Sequence, residues 1–320
     1  MNDNGRTLSI VIPAYNEEGN IKRTTEVVTG LMRENDIPVR LIFFDDGSKD
    51  RTWALIEEAS KAYDCVSGLR FSRNFGKEAA ILAGLEVSDG ACCCVMDCDL
   101  QHPPETIIGM YRLWQNGFEV IEGVKEDRGR ESIIYKGFSK LFYRMMSKAT
   151  GIDMSRASDF KLMDRRVVDS IVSMPERNTF FRAMSSWVGY KTTYVSFRVR
   201  EREIGSSKWN FFKLTRYAVN NIMSFTTSPL YLVTVLGMIF LALAFILGID
   251  SLFNYITRRA VEGFTTVILI ELIVGSVVMI SLGIIGAYVG KIYEEVKGRH
   301  RYIIADTASL PDRRNDRQQQ

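Results

Sequence analysis

Val95 to Glu105 reads VMDCDLQHPPE, an apolar run that ends in two aspartates one residue apart, followed by Gln101, His102 and a pair of prolines. Asp97 and Asp99 leave the strand with both side chains on the same side, because successive strand residues alternate. Two hard carboxylate oxygens side by side suit Mg²⁺ or Mn²⁺, ions that usually arrive bound to phosphates. An Asp-rich turn after a buried strand looks the same, so the pair alone does not decide. Two more polar groups stand in comparable places. Pro13, Tyr15, Asn16 and Glu17 follow an apolar run from Thr7 to Ile12, and Asp45 and Asp46 follow another from Val39 to Phe44.

The elements that must position these groups read as repeated βα units. Helical spacing runs from Glu17 to about Asn35 and from Ala79 to Val87, while Val66 to Phe71, Ala91 to Met96 and Val120 to Val124 are further strand candidates. Strands alternating with helices imply a parallel sheet with right-handed crossovers, and ligands on such sheets bind beyond the carboxyl ends of the strands. All three polar groups are therefore expected at one crevice. Acidic groups converging without a basic partner would repel, so a cation or a hydrogen-bonding ligand is expected among them.

Composition removes several alternatives. The chain has 320 residues and a formal net charge of +3, too small to suggest nucleic acid, although the tail from Lys291 to Arg317 is locally basic. Four of the five cysteines, Cys92, Cys93, Cys94 and Cys98, crowd one apolar strand, which fits neither a zinc ribbon nor a disulfide framework and reads as buried, reduced thiols. With two histidines, His102 and His300, His-based triads and zinc cages have little support. Neither GxGxxG nor GxxxxGK[ST] occurs, which argues against a dinucleotide dehydrogenase or a P-loop NTPase. The polar N-terminus runs straight into a strand, so no secretory signal is expected ahead of Leu8.

The second half changes character. Ile134 to Met146 has helical spacing with Lys136, Lys140, Arg144 and Lys148 recurring every four residues, a solvated face or one that meets anionic headgroups. Arg198, Arg200 and Arg202 alternate along Thr193 to Arg202, which places them on one face of a strand, and Gly205 to Lys208 form a loop. Trp209 to Phe225 is amphipathic, as a helix lying in the membrane interface should be. Residues 229–249 carry no charge and span about 30 Å as a helix, enough to cross a bilayer. A second span, 265–289, is interrupted only by Glu271, expected near its outer end or facing protein. Lys208, Lys213 and Arg216 before the first span and Lys291, Lys297, Arg299 and Arg301 after the second place both flanks in the cytoplasm, despite Arg258 and Arg259 between the spans.

The motifs VIPAYNEE, DDGSKDRT, FSRNFGKEAAILAGL and DCDLQHPPE, followed by SDFKLMDRRVV, MPERN, SWVGYKT and GSSKWN, resemble the successive motifs of the family 2 inverting glycosyltransferases. Within them the pattern is most similar to the polyprenyl-phosphate branch, which holds the dolichol-phosphate mannose synthases and the bactoprenol glucosyltransferases. The resemblance implies a GT-A, Rossmann-like, mostly parallel sheet flanked by helices over residues 1–208. An interfacial amphipathic helix (209–228), a two-helix transmembrane domain (229–290) and a basic cytoplasmic tail (291–320) would follow.

It also implies roles for matched positions. Pro13, Tyr15 and Glu17 would contact the base and ribose of a nucleotide sugar, and Asp46 would read the base. Asp97 and Asp99 would hold the diphosphate through Mg²⁺ or Mn²⁺, with Gln101 beside them. Asp159 matches the acidic residue that the family offers as a catalytic base, although orienting the acceptor or the sugar, or capping a nearby helix, is equally open to it; Asp99 is counted with it among the catalytic positions. Arg202, Ser207 and Lys208 would bind phosphate of donor or acceptor. One departure is Val199, where relatives carry an arginine that Arg198 or Arg200 would have to replace.

The implied activity is that of a hexosyltransferase moving glucose from UDP-glucose onto undecaprenyl or another polyprenyl phosphate, at the inner (plasma) membrane. Mannose or an amino sugar is the alternative donor group, and a non-catalytic lipid-binding scaffold the alternative of another kind. The expected partners are the nucleotide sugar, the lipid phosphate, the membrane, a second copy of the chain in a homo-oligomer and a glycolipid flippase, with no nucleic acid. A processive polysaccharide synthase is disfavoured because QxxRW and additional spans are absent.

Overall fold

The computed structural model describes residues 6–126, 157–176, 180–198, 228–257 and 264–309. The apolar runs of the first hundred residues form strands β1 (Leu8–Ala14), β2 (Val39–Asp45), β3 (Val66–Phe71) and β4 (Cys92–Val95). Between and after them lie helices α1 (Ile21–Glu34), α2 (Thr52–Ala62), α3 (Lys77–Val87) and α4 (Glu105–Gln115). Strands β5 (Val120–Lys125), β6 (Lys161–Asp164) and β7 (Thr192–Phe197), with helices α5 (Arg165–Val172) and α6 (Phe181–Trp187), follow, and β8 (Ile304–Ala308) comes late in the chain.

These strands make one eight-stranded sheet in the order β7-β5-β6-β4-β1-β2-β3-β8. β1 pairs in parallel with β2 and β4, β2 with β3, and β5 with β7. β6 runs antiparallel between β4 and β5, and β8 antiparallel against β3. The sheet is therefore mixed and mostly parallel. Its order reverses between β1 and β4, the place where open α/β sheets leave a crevice beyond their carboxyl ends.

Alternation along the strands divides the core into two layers. Leu8, Ile10, Ile12, Leu41, Phe43, Cys92 and Cys94 face α1, α2 and α4. Val11, Ile42, Phe44, Cys93 and Val95 face α3, α5 and α6. The crowded cysteines are thus core side chains, reduced and buried, as their spacing suggests. Pro13, which has no N–H, is tolerated in β1 because pairing with β4 stops at Val11.

Two expectations need correction here. The last thirty residues are more than a basic tail: β8 completes the edge of the sheet, Tyr302 stacks on Phe71 with ring centroids 5.0 Å apart, and Arg301 donates to the carbonyl of Met174 at 2.6 Å. A short strand flanked by charge has too little periodicity to announce itself; the exposed edge of β3 selects it. The expected strand Thr193 to Arg202 also ends early, at Phe197. The basic stripe of 134–146 and the interfacial helix lie outside the described residues.

A second unit holds α7 (Ser228–Ile256) and α8 (Phe264–Val296), which pack against each other. Pro229–Asp250 and Ile273–Val296, 22 and 24 residues, are long and apolar enough to cross a membrane. The second apolar stretch starts later than 265 and leaves the exposed Glu271 two residues ahead of it. Large apolar side chains on both helices, among them Phe245 and Met279, are exposed, which suits a lipid environment.

Helix α3 approaches β1 so closely that a Cβ at Gly84 would lie 2.2 Å from Cγ1 of Val11. Gly84→Ala is expected to cost roughly 1–3 kcal/mol, since a stiff branched side chain in a packed core has little room to yield. Gly30→Ala, in α1 with nothing within 4 Å of the new methyl, should instead stabilise by up to about 1 kcal/mol. Thermal melting of the detergent-solubilised chain checks both, and a neutral Gly84→Ala would sink the packing argument.

Candidate active site

Main-chain hydrogen bonds sew the loops after β1, β2 and β3 into one rim. Asn16, in the left-handed region at φ 54°, donates its N–H to Ser48 Oγ at 2.9 Å and accepts the Lys49 N–H on its side-chain oxygen at 3.0 Å. The Glu17 N–H reaches Thr52 Oγ1 at 2.9 Å, and Glu18 accepts the Arg51 N–H at 3.0 Å. Asp50 accepts the Thr52 N–H at 3.0 Å in the turn just ahead of α2. Buried Asp46 accepts the Phe75 N–H at 2.6 Å and the Gly76 N–H at 2.9 Å, so it holds the loop that leads into α3. Burial pushes the Asp46 carboxyl upward, against those two bonds. Gly47 makes this closure possible: at φ 69° a Cβ would lie 2.5 Å from the backbone carbon of Arg73.

The loop after β4 differs from the reading of its sequence. β4 ends at Val95, so Asp97 and Asp99 belong to a turn and strand alternation does not orient them. The turn is held by Thr24 Oγ1 donating to the Cys98 carbonyl at 2.7 Å, by Asp99 accepting the Gln101 N–H at 3.1 Å, and by Leu100 at φ 55°. Cys98 is buried in the core and takes no part in the polar face.

Nor do the acidic groups lack a basic partner. Lys77, the first residue of α3, places its ammonium 2.6 Å from Asp97 Oδ1 and 3.2 Å from Asp159 Oδ2. Arg182 on α6 meets Asp159 as a fork, Nε to Oδ1 at 2.7 Å and Nη2 to Oδ2 at 2.9 Å. A chain of alternating charge, Asp97, Lys77, Asp159, Arg182, thus runs across the crevice. Burial alone would raise the Asp159 carboxyl; Lys77 and Arg182 outweigh it and hold the group far below the usual carboxylate range. Burial likewise opposes Asp97, and Lys77 and then His102 bring it below its ordinary value. Lys77 loses some affinity for its proton through burial and regains more from Asp97 and Asp159. Beside it, Glu78 is pushed up to about 7, first by burial and then by the charge of Asp159, while it accepts the Phe181 N–H at 2.9 Å.

His102 closes the back of the site. Its ring stacks on Phe160 with centroids 4.6 Å apart, meets Phe197 edge-on, and turns Nδ1 to within 4.0 Å of Asp97 Oδ2. Burial lowers its affinity for a proton, and the charge of Asp97 only partly offsets this.

The structure therefore brings Asp97, Asp99, Gln101 and Asp159 together at the end of β4 and sets Pro13, Tyr15 and Glu17 at the end of β1. Tyr15 is 43% exposed and open to a ligand. Asp159 does not cap a helix; α5 is capped by Asp164, which accepts the Arg166 N–H at 3.1 Å. A carboxylate held as low as Asp159 is also a poor proton acceptor near neutral pH. Arg202, Ser207 and Lys208 lie outside the described residues, as do Arg200 and Val199; Arg198 pairs with Glu126 at 3.1 Å. Sequence reasoning quoted Lys77 only inside a longer motif and did not reach Arg182. The signal for Lys77 was its place directly after Gly76 in SRNFGKE, at the start of a helix whose loop the sheet edge collects. Arg182 had no such signal.

The donor set suits a divalent ion of a particular kind. Among the described residues no group of three His, Cys, Asp or Glu side chains forms a closed cage. Asp97 and Asp99 share one turn, and Asp97 already carries a cationic group at 2.6 Å. A divalent ion held by two carboxylates of one turn would take its remaining ligands from phosphate and water.

Residues 9–172 match the family model described as glycosyl transferase family 2. The chain is 37% identical over 309 residues to an uncharacterised glycosyltransferase of Synechocystis, covering 95% of this chain and 96% of that one. It is 36% identical over 299 residues to a prophage bactoprenol glucosyl transferase homolog of Escherichia coli, covering 93% and 98%. It is 35% identical over 302 residues to a bactoprenol glucosyl transferase of Shigella phage SfII, covering 93% and 97%. A family model spanning half the chain and relatives aligned from end to end agree with the crevice described above, and the chain belongs to glycosyl transferase family 2.

Proposed function

We propose that this protein transfers glucose from UDP-glucose onto a polyprenyl phosphate at a membrane. The observation that carries the reading is the charged chain from Asp97 to Arg182 at the carboxyl end of the sheet, in a chain similar throughout to bactoprenol glucosyl transferases. A lipid-phosphate oxygen forms a bond to the anomeric carbon while the bond from that carbon to the diphosphate breaks, and the electron pair leaves with UDP. Attack opposite the leaving group inverts the anomeric centre and gives a β-linked product.

Each described residue has a part in this scheme. Tyr15 and Glu17 flank the nucleoside, and Asp46 fixes the loop beneath it. Asp97 and Asp99, with Gln101 beside them, would hold Mg²⁺ or Mn²⁺, which would supply positive charge against that building on the departing diphosphate. Lys77 lies within reach of the same charge and sets Asp97 against Asp159. An acceptor phosphate is already anionic, so no proton has to be removed from it; Asp159, held low by Lys77 and Arg182, serves to orient sugar or acceptor. Arg202, Ser207 and Lys208 complete the phosphate contacts. The two apolar helices anchor the chain with the sheet unit and both termini in the cytoplasm, on the side where nucleotide sugars are made.

Purified full-length protein with Mg²⁺ or Mn²⁺ and undecaprenyl phosphate should form a glucosyl lipid detectable by mass spectrometry from UDP-glucose, and less or none from UDP-N-acetylglucosamine or GDP-mannose. Absence of glycolipid with every donor would falsify the reading. Asp97→Asn combined with Asp99→Asn should remove metal-dependent UDP binding and lower kcat by about a hundredfold or more; unchanged UDP binding in that variant points instead to a scaffold. In a Cys65→Ser background, Arg259→Cys should react with an impermeant thiol reagent in intact cells and Arg299→Cys only after permeabilisation. The opposite labelling pattern would reverse the topology.

A further inference from the structure

Directly behind the Asp159–Arg182 pair lies a second set of charges that the scheme above leaves unused. Glu122 on β5 and Lys161 on β6 are register partners in the antiparallel pair, so both side chains leave the same face of the sheet. Both are buried, as is Ser185 on α6. The Lys161 ammonium donates to Glu122 Oε1 at 3.0 Å and to Ser185 Oγ at 2.5 Å, and lies 5.1 Å from the centre of the Phe181 ring. Glu122 uses its other oxygen, Oε2, to accept the Ser158 N–H at 3.1 Å. Ser185 passes its own hydroxyl proton on, donating to the Arg182 carbonyl at 3.2 Å.

These bonds form one connected path, with Glu122 accepting at both oxygens, Lys161 donating to both neighbours and Ser185 donating onward. Beginning at the backbone of residue 158, they pass through Glu122, Lys161 and Ser185 and finish at the backbone of residue 182. Those two ends are the segments that carry Asp159 and Arg182. Glu122 holds the Asp159 segment on both sides, through the Ser158 N–H before it and the Lys161 side chain after it. A buried ion pair is a poor way to gain stability, because desolvation consumes most of its Coulomb energy and an apolar pair of equal volume does as well. What such a pair supplies, once every donor and acceptor is matched, is a fixed geometry.

We propose that Glu122, Lys161 and Ser185 are positioning residues that set the distance and angle at which Arg182 meets Asp159. This rests on the reading of that pair as part of the transfer site. Slackening the relay lets Arg182 drift from the fork geometry, and displacement by a fraction of an ångström at a reacting centre is felt in kcat more than in donor binding. The proposed base and ribose contacts stand at the end of β1, two strands from β6 in the sheet.

The test is a double-mutant cycle on the full-length protein with UDP-glucose and undecaprenyl phosphate. Ser185→Ala should lower kcat about tenfold with the KM for donor within about twofold, yet cost less than about twofold when Arg182→Gln is already present, because coupled residues are not additive. Ser185→Thr, which keeps the hydroxyl, should recover most of the rate. Equal losses in both backgrounds, or a loss that follows only the melting temperature, overturn the proposal. Should Ser185→Ala fail to fold, Glu122→Gln against Asp159→Asn provides the same cycle, with the same outcomes decisive. An arginine-¹⁵N-labelled sample reads the relay without turnover: the Nε–H resonance assigned by its loss in Arg182→Gln should shift or broaden in Ser185→Ala, and an unchanged resonance rejects the relay. If the unaltered protein makes no glycolipid, the functional reading fails while this spectrum still judges the positioning claim.

Discussion

The ammonium of Lys77 between Asp97 and Asp159 is the contact on which the rest of the site depends. Carboxylates gathered at a half-buried crevice repel one another and resist losing water, and without a counter-charge they would take up protons or move apart. Lys77 serves two of them at once, and Arg182 secures the outer side of Asp159. Alternating charge turns a repulsive cluster into an ordered one, with the carboxyls of Asp97 and Asp159 both held below their ordinary range. Glu78, next in the chain, shows the contrast: burial first and then the charge of Asp159 push its carboxyl up to about 7.

That contact requires α3 to begin at a particular point, and a longer series of constraints fixes where it does. Gly47 lets β2 turn close beneath the next loop, and Asp46 takes the amides of Phe75 and Gly76 just before Lys77. Gly84 then lets the helix settle against Val11. Tyr302 packs on Phe71 and donates to Glu86 near the end of α3, so the chain after the second apolar helix returns to brace the same element. Main-chain hydrogen bonds and close packing set the position, and the charges then act at short range. The division is physically sensible, since a surface charge pair contributes little by itself and cannot place a helix.

Much of the architecture was legible in the order of residues. Apolar runs of strand length separated by helical periodicity specify a βα sheet through local physics, and the rule that ligands bind at carboxyl edges then marks Tyr15, Asp46 and Asp97 as neighbours. Long uncharged stretches declare themselves by composition in the same way. The Asp97 and Asp99 turn was legible as chemistry and misread as geometry, because the strand stops at Val95, where its pairing with β1 ends.

The sequence by itself determined the βα sheet, the apolar helices and which residue types stand after each strand, because these follow from periodicity and composition within short windows. Only the tertiary structure decided which charges meet. Lys77 and Asp159 are 82 residues apart, Asp159 and Arg182 are 23 apart with a helix and a strand between them, and β8 reaches the edge of β3 from beyond the second apolar helix. No local pattern encodes such pairings. They arise when packing brings the ends of separate elements within a few ångströms, where Coulomb attraction in a partly dry crevice becomes strong enough to select the partner.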